Sequence, residues 1–125
     1  MNENDISYGI RGSIYDVFNT FGPGLFESIY VAALKLDLER KGFEVKQEVP
    51  IPVFYNEQQL GVGFRLDLLV ENKVIIEVKS ISTFAEVHHK HLITYLKLAK
   101  KKLGILVNFN EQNINEGLFR KVNKL

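Results

Sequence analysis

Two apolar segments separated by three polar residues constrain the fold of this chain more than any other feature. Residues 65–70 contain Asp67, and residues 74–79 contain Glu77 and Lys79. Both segments are rich in residues that favour β-strands, and the polar stretch between them predicts a hairpin. Because side chains two residues apart in a strand point to the same side, Glu77 and Lys79 share a face.

The length of the hairpin loop decides whether the two acids meet. With three loop residues, Asp67 lies directly opposite Glu77, and Arg65 lies opposite Lys79. A loop of two residues would send the acids to opposite faces of the sheet. We therefore predict a three-residue loop, or a bulge with the same effect.

A face that carries two acids and a lysine has two interpretations. It can hold a divalent metal ion with a water beside it, or it can form a structural ion pair between the strands. The chain has no cysteine, so a metal ion would have oxygen and imidazole ligands. An oxygen-rich site favours Mg²⁺ or Mn²⁺.

Hydrophobic periodicity and turn residues predict the other elements. The predicted helices cover residues 7–21, 25–41 and 84–101. The predicted strands cover residues 43–55, 60–70, 74–81 and 103–109. Gly42 suits a left-handed helix end, and Pro50 and Pro52 place the first strand at a sheet edge or bend it. Residues 118–122 add either an edge strand or a frayed end.

The element order ααβββαβ predicts an α/β fold with a mixed sheet and helices on its faces. The 125 residues contain no internal repeat or Pro/Ser-rich linker, so we expect a single domain over residues 1–125. No apolar run approaches the roughly 20 residues of a membrane-spanning helix, and the polar start is unlike a signal peptide. We therefore expect a cytoplasmic protein without a membrane partner.

Glu27 is a second charge in an apolar setting. At about 100° per residue, Tyr30, Val31, Leu34 and Leu38 fall within roughly 60° of it on the second helix. A buried carboxylate must be neutralised, paired with a cation or bound to a metal ion. The alternative is a glutamate in the first turn that the helix dipole favours.

His91 is predicted to lie on the apolar face of the third helix, with Tyr95 one turn later and His88 at the margin of that face. A single histidine on such a face is more often a satisfied core residue than a ligand. The other residues of the predicted face are Phe84, Val87 and Leu98.

The net charge of +1 hides an asymmetry along the chain. Residues 1–89 hold 8 Lys and Arg against 13 Asp and Glu, whereas residues 90–125 hold 8 against 2. A basic tail third can attract a polyanion such as nucleic acid. The candidate contacts are Arg65, Lys97, Lys100, Lys101, Lys102, Arg120 and Lys121.

The acid of one strand, the Glu-x-Lys sequence of the next and the earlier Glu27 together resemble the PD-(D/E)XK nuclease superfamily. More narrowly, Gly24, Glu27 and Tyr30 fit the spacing for which the small bacterial GxxExxY proteins are named. Further segments similar to that family are residues 49–53, 61–65, 94–98 and 104–109. The resemblance covers residues 7–122 and implies a restriction-endonuclease-like α/β fold.

The resemblance also implies a role for each residue. Asp67 and Glu77 would ligate one or two divalent cations, together with the carbonyl oxygen of Val78. Lys79 would orient or deprotonate the attacking water, or stabilise the charge of the transition state. Glu27 would hold the metal ion through a water or complete a second site.

One position departs from the RecB-like branch of the superfamily, whose later helix carries Gln-x-x-x-Tyr. Tyr95 is retained, but His91 stands at the glutamine position. An imidazole can still donate or accept a hydrogen bond, and it would make the site sensitive to pH. Alternatively, the site has begun to lose catalysis.

We therefore predict a nuclease dependent on Mg²⁺ or Mn²⁺ that hydrolyses phosphodiester bonds of nucleic acid, DNA rather than RNA. A second hypothesis is a catalytically idle module that keeps the fold and binds nucleic acid or a partner protein. A third is a resolvase-like homodimer that acts on branched DNA. A partner protein that targets the nuclease is a further hypothesis, because the chain shows no base-reading motif.

Overall fold

The computed structural model describes all 125 residues, which form three helices around one five-stranded sheet. The helices are α1 (Glu3–Phe21), α2 (Glu27–Arg40) and α3 (Glu86–Ala99). The strands are β1 (Val45–Tyr55), β2 (Gln58–Val70), β3 (Val74–Lys79), β4 (Leu103–Asn108) and β5 (Leu118–Val122). A 3₁₀ turn at Ile114–Gly117 precedes β5. The predicted order is confirmed, and residues 118–122 form the edge strand that was one of their two predicted states.

Capping contacts explain where the first two helices begin and end. α1 begins four residues earlier than predicted because the Asn2 side chain accepts a backbone N–H of the first turn. α2 is followed by the left-handed Gly42 (φ 95°), as predicted. The N–H groups of Gly42 and Phe43 donate to the carbonyls of Glu39 and Leu38 and satisfy the end of the helix.

The sheet is mixed, and its strand order follows the chain from β1 to β5. β3 and β4 pair in parallel, joined through α3, whereas the other neighbouring strands pair antiparallel. β1 lies at one edge, where the missing N–H groups of Pro50 and Pro52 disturb no second neighbour. The predicted edge position of this strand is confirmed.

The hairpin of β2 and β3 has the predicted three-residue loop, and Val70 pairs with Val74. The backbone pairing ends at Leu68 and Ile76, one residue before the two acids. The prediction that Arg65 lies opposite Lys79 was wrong, because β2 has by then left β3. Arg65 is paired with Pro50 of β1 instead.

Two hydrophobic cores cover the two faces of the sheet. The larger core joins α1 and α2 to one face, with Ile10, Leu34 and Ile76 fully buried among its residues. The smaller core joins α3 to the other face through Leu92 and Leu96. Helices on both faces of a mixed sheet were predicted, and this arrangement is confirmed.

Both strands of the β1–β2 pair change faces at the same position. Leu66 packs in the α3-side core and Leu68 packs in the opposite one, although strand alternation would place both on one side. The position between them is Asp67, which has no backbone-paired partner in β1. Its neighbour across the sheet, Glu48, has a left-handed backbone (φ 52°). The switch leaves the register unchanged, because Val49 and Leu66 pair directly beyond it.

The predicted buried face of α3 was wrong. Val87 and Leu98 are 47% and 45% exposed, and His91 is exposed as well. The buried face is formed by Leu92 and Leu96, which are spaced by one helical turn. Apolar residues occur all around this helix, so the helical period alone did not identify which of them meet the sheet.

Gly104 of β4 provides a prediction about the contact between α3 and the sheet. A Cβ at this position would lie 2.8 Å from Leu92 Cδ1. We expect Gly104→Val to lower the free energy of unfolding by about 1–3 kcal/mol through overpacking. Urea denaturation measures this change.

The matched control for this experiment is Gly61→Val, because a Cβ at Gly61 meets no atom within 4 Å. The close packing of α3 would be contradicted if both variants had the same stability.

Candidate active site

Asp67 and Glu77 exchange hydrogen bonds with each other's strand where the backbone pairing stops. The Asp67 N–H donates to Glu77 Oε1 at 3.2 Å, and the Val78 N–H donates to Asp67 Oδ2 at 2.8 Å. Side chains thus replace the next backbone bonds between β2 and β3. The two side chains are also hydrogen-bonded to each other, which lowers the pKa of Asp67 and raises the pKa of Glu77.

The protein environment disfavours two negative charges at this position. Burial raises the pKa of Glu77 to about 8, and the neighbouring charge of Asp67 acts in the same direction. Burial also raises the pKa of Asp67, which the Val78 N–H and the charge of Lys79 partly oppose. The protein therefore does not supply enough positive charge to stabilise both acids in their ionised forms.

Lys79 does not neutralise the acids by direct contact. Its ammonium lies within 4.0 Å of no carboxylate oxygen, so the structural ion pair considered from the sequence is not formed. Lys79 lines a small cleft on the α3 side of the sheet. The other residues of this cleft are Glu77, His88, His91, Leu92, Tyr95 and Leu106.

Glu27 reaches the same end of β3 from the first turn of α2. Its Oε2 accepts the backbone N–H of Ser80 at 3.0 Å, directly after Lys79. The charge of Glu27 also contributes to the raised pKa of Asp67, so the two carboxylates lie close enough to interact. The structure therefore places Glu27, Asp67, Glu77 and Lys79 at one end of the sheet, but only Glu77 and Lys79 of these line the cleft.

Tyr30 holds the loop that leads into Glu27. Its buried hydroxyl donates to the Gly22 carbonyl at 2.6 Å and accepts the Leu25 N–H at 3.1 Å. Its ring stacks on Phe109, with 4.2 Å between the ring centroids. Leu25 is tied in turn to Ser80, whose hydroxyl donates to the Leu25 carbonyl.

His91 and Tyr95 occupy one wall of the cleft. Tyr95 stacks on Phe64 of β2, with centroids 4.2 Å apart and planes within 11°. The His91 ring lies nearly parallel to Tyr95 at 6.1 Å and is exposed. His88 has a structural role, because its Nδ1 accepts the Ala85 N–H at the start of α3.

None of the predicted nucleic-acid contacts lines the cleft. Lys100, Lys101 and Lys102 directly precede the start of β4. Three residues of strand separate that end of the sheet from Glu77, roughly 10 Å, and five separate it from Lys79, roughly 17 Å. Lys97 is exposed in the last turn of α3, and Arg65 is exposed two residues before Asp67.

The lysines near the sheet end are not all free in solution. The Lys101 ammonium donates to the Asn72 carbonyl in the β2–β3 loop at 2.9 Å. Lys101 therefore supports the hairpin turn, while Lys100 and Lys102 are exposed.

The residues at the acid pair fit a divalent cation. Glu77 is buried and Asp67 is half-buried, both have raised pKa values, and no ammonium contacts them. Hard cations such as Mg²⁺ prefer carboxylate oxygens and retain several waters. A cation that retains several waters needs few protein ligands. The site is consistent with this, because no group of three or more His, Cys, Asp or Glu side chains forms a ligand cluster.

The sequence did not reveal that three further residues support the site, namely Tyr30, Ser80 and Asn108. Asn108 is fully buried, and its side chain bonds both the N–H and the carbonyl of Ile81. A polar residue at the end of an apolar strand was a visible signal. Its partner lies 27 residues away and was not indicated by spacing.

A comparison with protein families identifies the class of protein. The sequence model of the PD-(D/E)XK nuclease superfamily matches residues 4–122, nearly the whole chain. The chain belongs to this superfamily, and its mixed sheet with helices on both faces is a restriction-endonuclease-like fold.

A solved structure titled "Crystal structure of SSO0001" is similar to this chain, with a TM-score of 0.57 and 23% sequence identity. The match covers 78% of this chain and 50% of that one, so this chain spans about half the length of the matched structure. The likeness supports the fold. No curated protein matches the chain, and none of its helices has the length and apolar composition needed to cross a bilayer.

The raised pKa of Glu77 predicts how stability changes with pH in the absence of divalent cations. Between its ordinary value of 4.5 and about 8, the unfolded chain loses this proton while the folded chain keeps it. The folded state then binds more protons, so its stability falls as the pH rises through this window. We expect a slope of up to about 1.4 kcal/mol per pH unit from this group.

Urea denaturation in EDTA between pH 5 and about 8 measures this effect. Glu77→Gln should flatten the slope, whereas Glu116→Gln, an exposed change in the 3₁₀ turn, should leave it unchanged. A slope equal in wild type and Glu77→Gln would contradict the burial of this acid.

Proposed function

We propose that this protein is a nuclease that depends on Mg²⁺ or Mn²⁺ and hydrolyses phosphodiester bonds, with DNA as the preferred substrate. Membership of the PD-(D/E)XK nuclease superfamily supports the nuclease class. The observation that carries the proposal is the acid pair, with Glu77 buried and Asp67 half-buried, both with raised pKa values beside an unpaired lysine. A structural ion pair would bring the Lys79 ammonium into contact with one of these acids.

Asp67 and Glu77 would hold the cation through their carboxylate oxygens, together with the predicted Val78 carbonyl. When bound, the cation supplies neutralisation of the charge that develops on the phosphate and a lower pKa for a nearby water. Glu27 accepts the Ser80 N–H and would hold the metal ion through a water or complete a second site. These three carboxylates define the anionic side of the site.

Lys79 is the positively charged side chain that would take part in the reaction. Its ammonium lines the cleft without an ion pair, so it is free to contact a phosphate oxygen or the attacking water. A positioned donor of this kind stabilises the charge of the transition state. Tyr95 and His91 line the opposite wall and would position the phosphate backbone by hydrogen bonds.

Several finer predictions belong to this proposal. The contacts of Gly22–Leu25, Glu27 and Tyr30 support assignment to the GxxExxY group. The cytoplasmic location, the single domain over residues 1–125, the homodimer and the targeting partner stay predictions.

Cleavage assays test the proposed activity directly. Purified protein is incubated with single-stranded, duplex and branched DNA, and with RNA, in Mn²⁺ or in EDTA. We expect cleavage only with the metal ion, and a loss of about 10²–10³-fold in rate for Lys79→Ala, which removes a transition-state contact. Lys90→Ala is the control, because Lys90 is exposed on α3 outside the cleft.

The proposal fails if the wild type cleaves none of these substrates, or if Lys79→Ala cleaves as fast as Lys90→Ala. Calorimetry with Mn²⁺ on wild type and on the Asp67→Asn, Glu77→Gln double variant reports whether the acid pair binds the ion.

A catalytically idle nucleic-acid-binding module is the second candidate function. The separation of the exposed Lys100 and Lys102 from Glu77 of the cleft by about 10 Å of strand favours it, as does His91 at the expected glutamine position. In this case the protein would bind DNA without binding Mn²⁺.

The basic surface gives a prediction under either function. We expect a triple change of Lys97, Lys100 and Lys102 to Glu to weaken DNA binding in EDTA. The slope of log K against log salt should shrink by up to about 0.9 for each duplex phosphate that the variant no longer neutralises. Fluorescence anisotropy over a salt series measures both the affinity and this slope.

The matched control carries the same charge change on exposed residues elsewhere, namely Arg11, Arg40 and Lys46 to Glu. Equal weakening in both triple variants would mean that net charge, and not this surface, attracts the nucleic acid.

A further inference from the structure

The peptide group between Lys79 and Ser80 is held at both of its polar atoms. The Lys79 carbonyl accepts the Phe109 N–H at 2.9 Å, and the Ser80 N–H donates to Glu27 at 3.0 Å. This peptide directly follows the lysine of the candidate site. Its orientation therefore fixes the backbone from which the Lys79 side chain leaves.

Tyr30 contacts one partner of this peptide, Phe109, directly and reaches Ser80 through Leu25. Its ring stacks on Phe109, with planes within 4°. Its hydroxyl holds the Leu25 N–H, and the Leu25 carbonyl accepts the Ser80 hydroxyl at 2.7 Å. The contacts form a closed circuit from Tyr30 through Leu25 and Ser80 to the Lys79 carbonyl, Phe109 and back to Tyr30.

We propose that Tyr30 is a positioning residue that fixes Glu27 and the Lys79–Ser80 peptide relative to each other, with Ser80 as the link between them. The proposal rests on the proposed function for its consequence in catalysis, but the positioning itself is a property of the fold. Tyr30 and Ser80 touch neither the acid pair nor the cleft surface. They act through Glu27.

The Ser80 N–H also fixes the orientation of Glu27. It donates to Oε2 and takes up one lone pair of that oxygen. The second lone pair of Oε2 and both lone pairs of Oε1 stay available to a water or a cation.

The three residues of the Gly24, Glu27 and Tyr30 spacing thus acquire separate physical tasks. Gly24 adopts a left-handed backbone (φ 104°) that other residues adopt only at a cost. This turn brings Leu25 back to the Tyr30 hydroxyl, five residues later. The spacing exists because the loop must close on Tyr30 while Glu27 points to Ser80.

Amide hydrogen exchange tests the positioning without metal ion or substrate. Tyr30→Phe removes the hydroxyl and keeps the ring that stacks on Phe109. We expect the Ser80 amide to exchange roughly tenfold faster in this variant, because the loop that leads into Glu27 and accepts the Ser80 hydroxyl loses its anchor. Glu27→Ala removes the acceptor itself and should accelerate the same amide at least as much.

Tyr15→Phe is the matched control, since it deletes a tyrosine hydroxyl that bonds Asn115 on a different part of the surface. It should leave the Ser80 amide unchanged. The proposal is overturned if Tyr30→Phe leaves the Ser80 amide protected. It is also overturned if all amides of β3 accelerate by the same factor, since the effect is then a general loss of stability.

A double-mutant cycle extends the test to catalysis. If Tyr30 acts through Glu27, Tyr30→Phe should lower kcat in the wild type and add no further loss in Glu27→Ala. Ser80→Thr should retain the rate that Ser80→Ala loses, because threonine keeps the hydroxyl. Additive losses would refute the positioning role. An inactive wild type with the expected exchange pattern would refute the nuclease proposal and leave the positioning established.

Discussion

The replacement of backbone by side-chain hydrogen bonds between Asp67 and Glu77 is the interaction on which the rest of the site depends. It allows β2 to leave β3 without stranding the N–H groups of Asp67 and Val78. The replacement requires two carboxylates in a poorly solvated position, and the raised pKa of Glu77 reflects this requirement. The gap that opens beyond the pair gives access to the acids. The same two residues therefore end the sheet and define the site.

The sequence was sufficient for features that depend on neighbouring residues. The three-residue loop between β2 and β3 follows from the requirement that two acids share a face, and Gly42 ends α2 as expected. The buried face of α3 could not be predicted, because Val87 and Leu98 are as apolar as the residues that pack, and the sheet decides between them. The bonds of Ser80 to Glu27 and Leu25 span more than fifty residues. No local pattern encodes such contacts.

The charges of the molecule are divided between the two ends of its sheet. The acids and Glu27 lie where β3 ends, whereas Lys100 and Lys102 lie where β4 begins. A polyanion that enters the cleft meets repulsion from the carboxylates unless cations screen them. The lysines attract the same polyanion from a distance at which repulsion is weak. The lysines that attract the polyanion are thus separate from the carboxylates that would hold the metal ion. Whether the polyanion can enter the cleft then depends on whether cations are bound there.

The joint change of faces at Glu48 and Asp67 turns the hairpin beyond it toward α3. Because both strands switch together and keep their register at this step, the segment from Val49 to Leu66 forms a two-stranded ribbon whose near part packs on α3, where Phe64 stacks on Tyr95. Residues added to or removed from its far end in pairs, one on each strand, would alter its reach without turning any acid to another face. Insertion or deletion of one residue in only one strand would turn every later side chain of that strand to the opposite face. The ribbon is thus the part of the fold in which related chains can vary in length at the lowest cost.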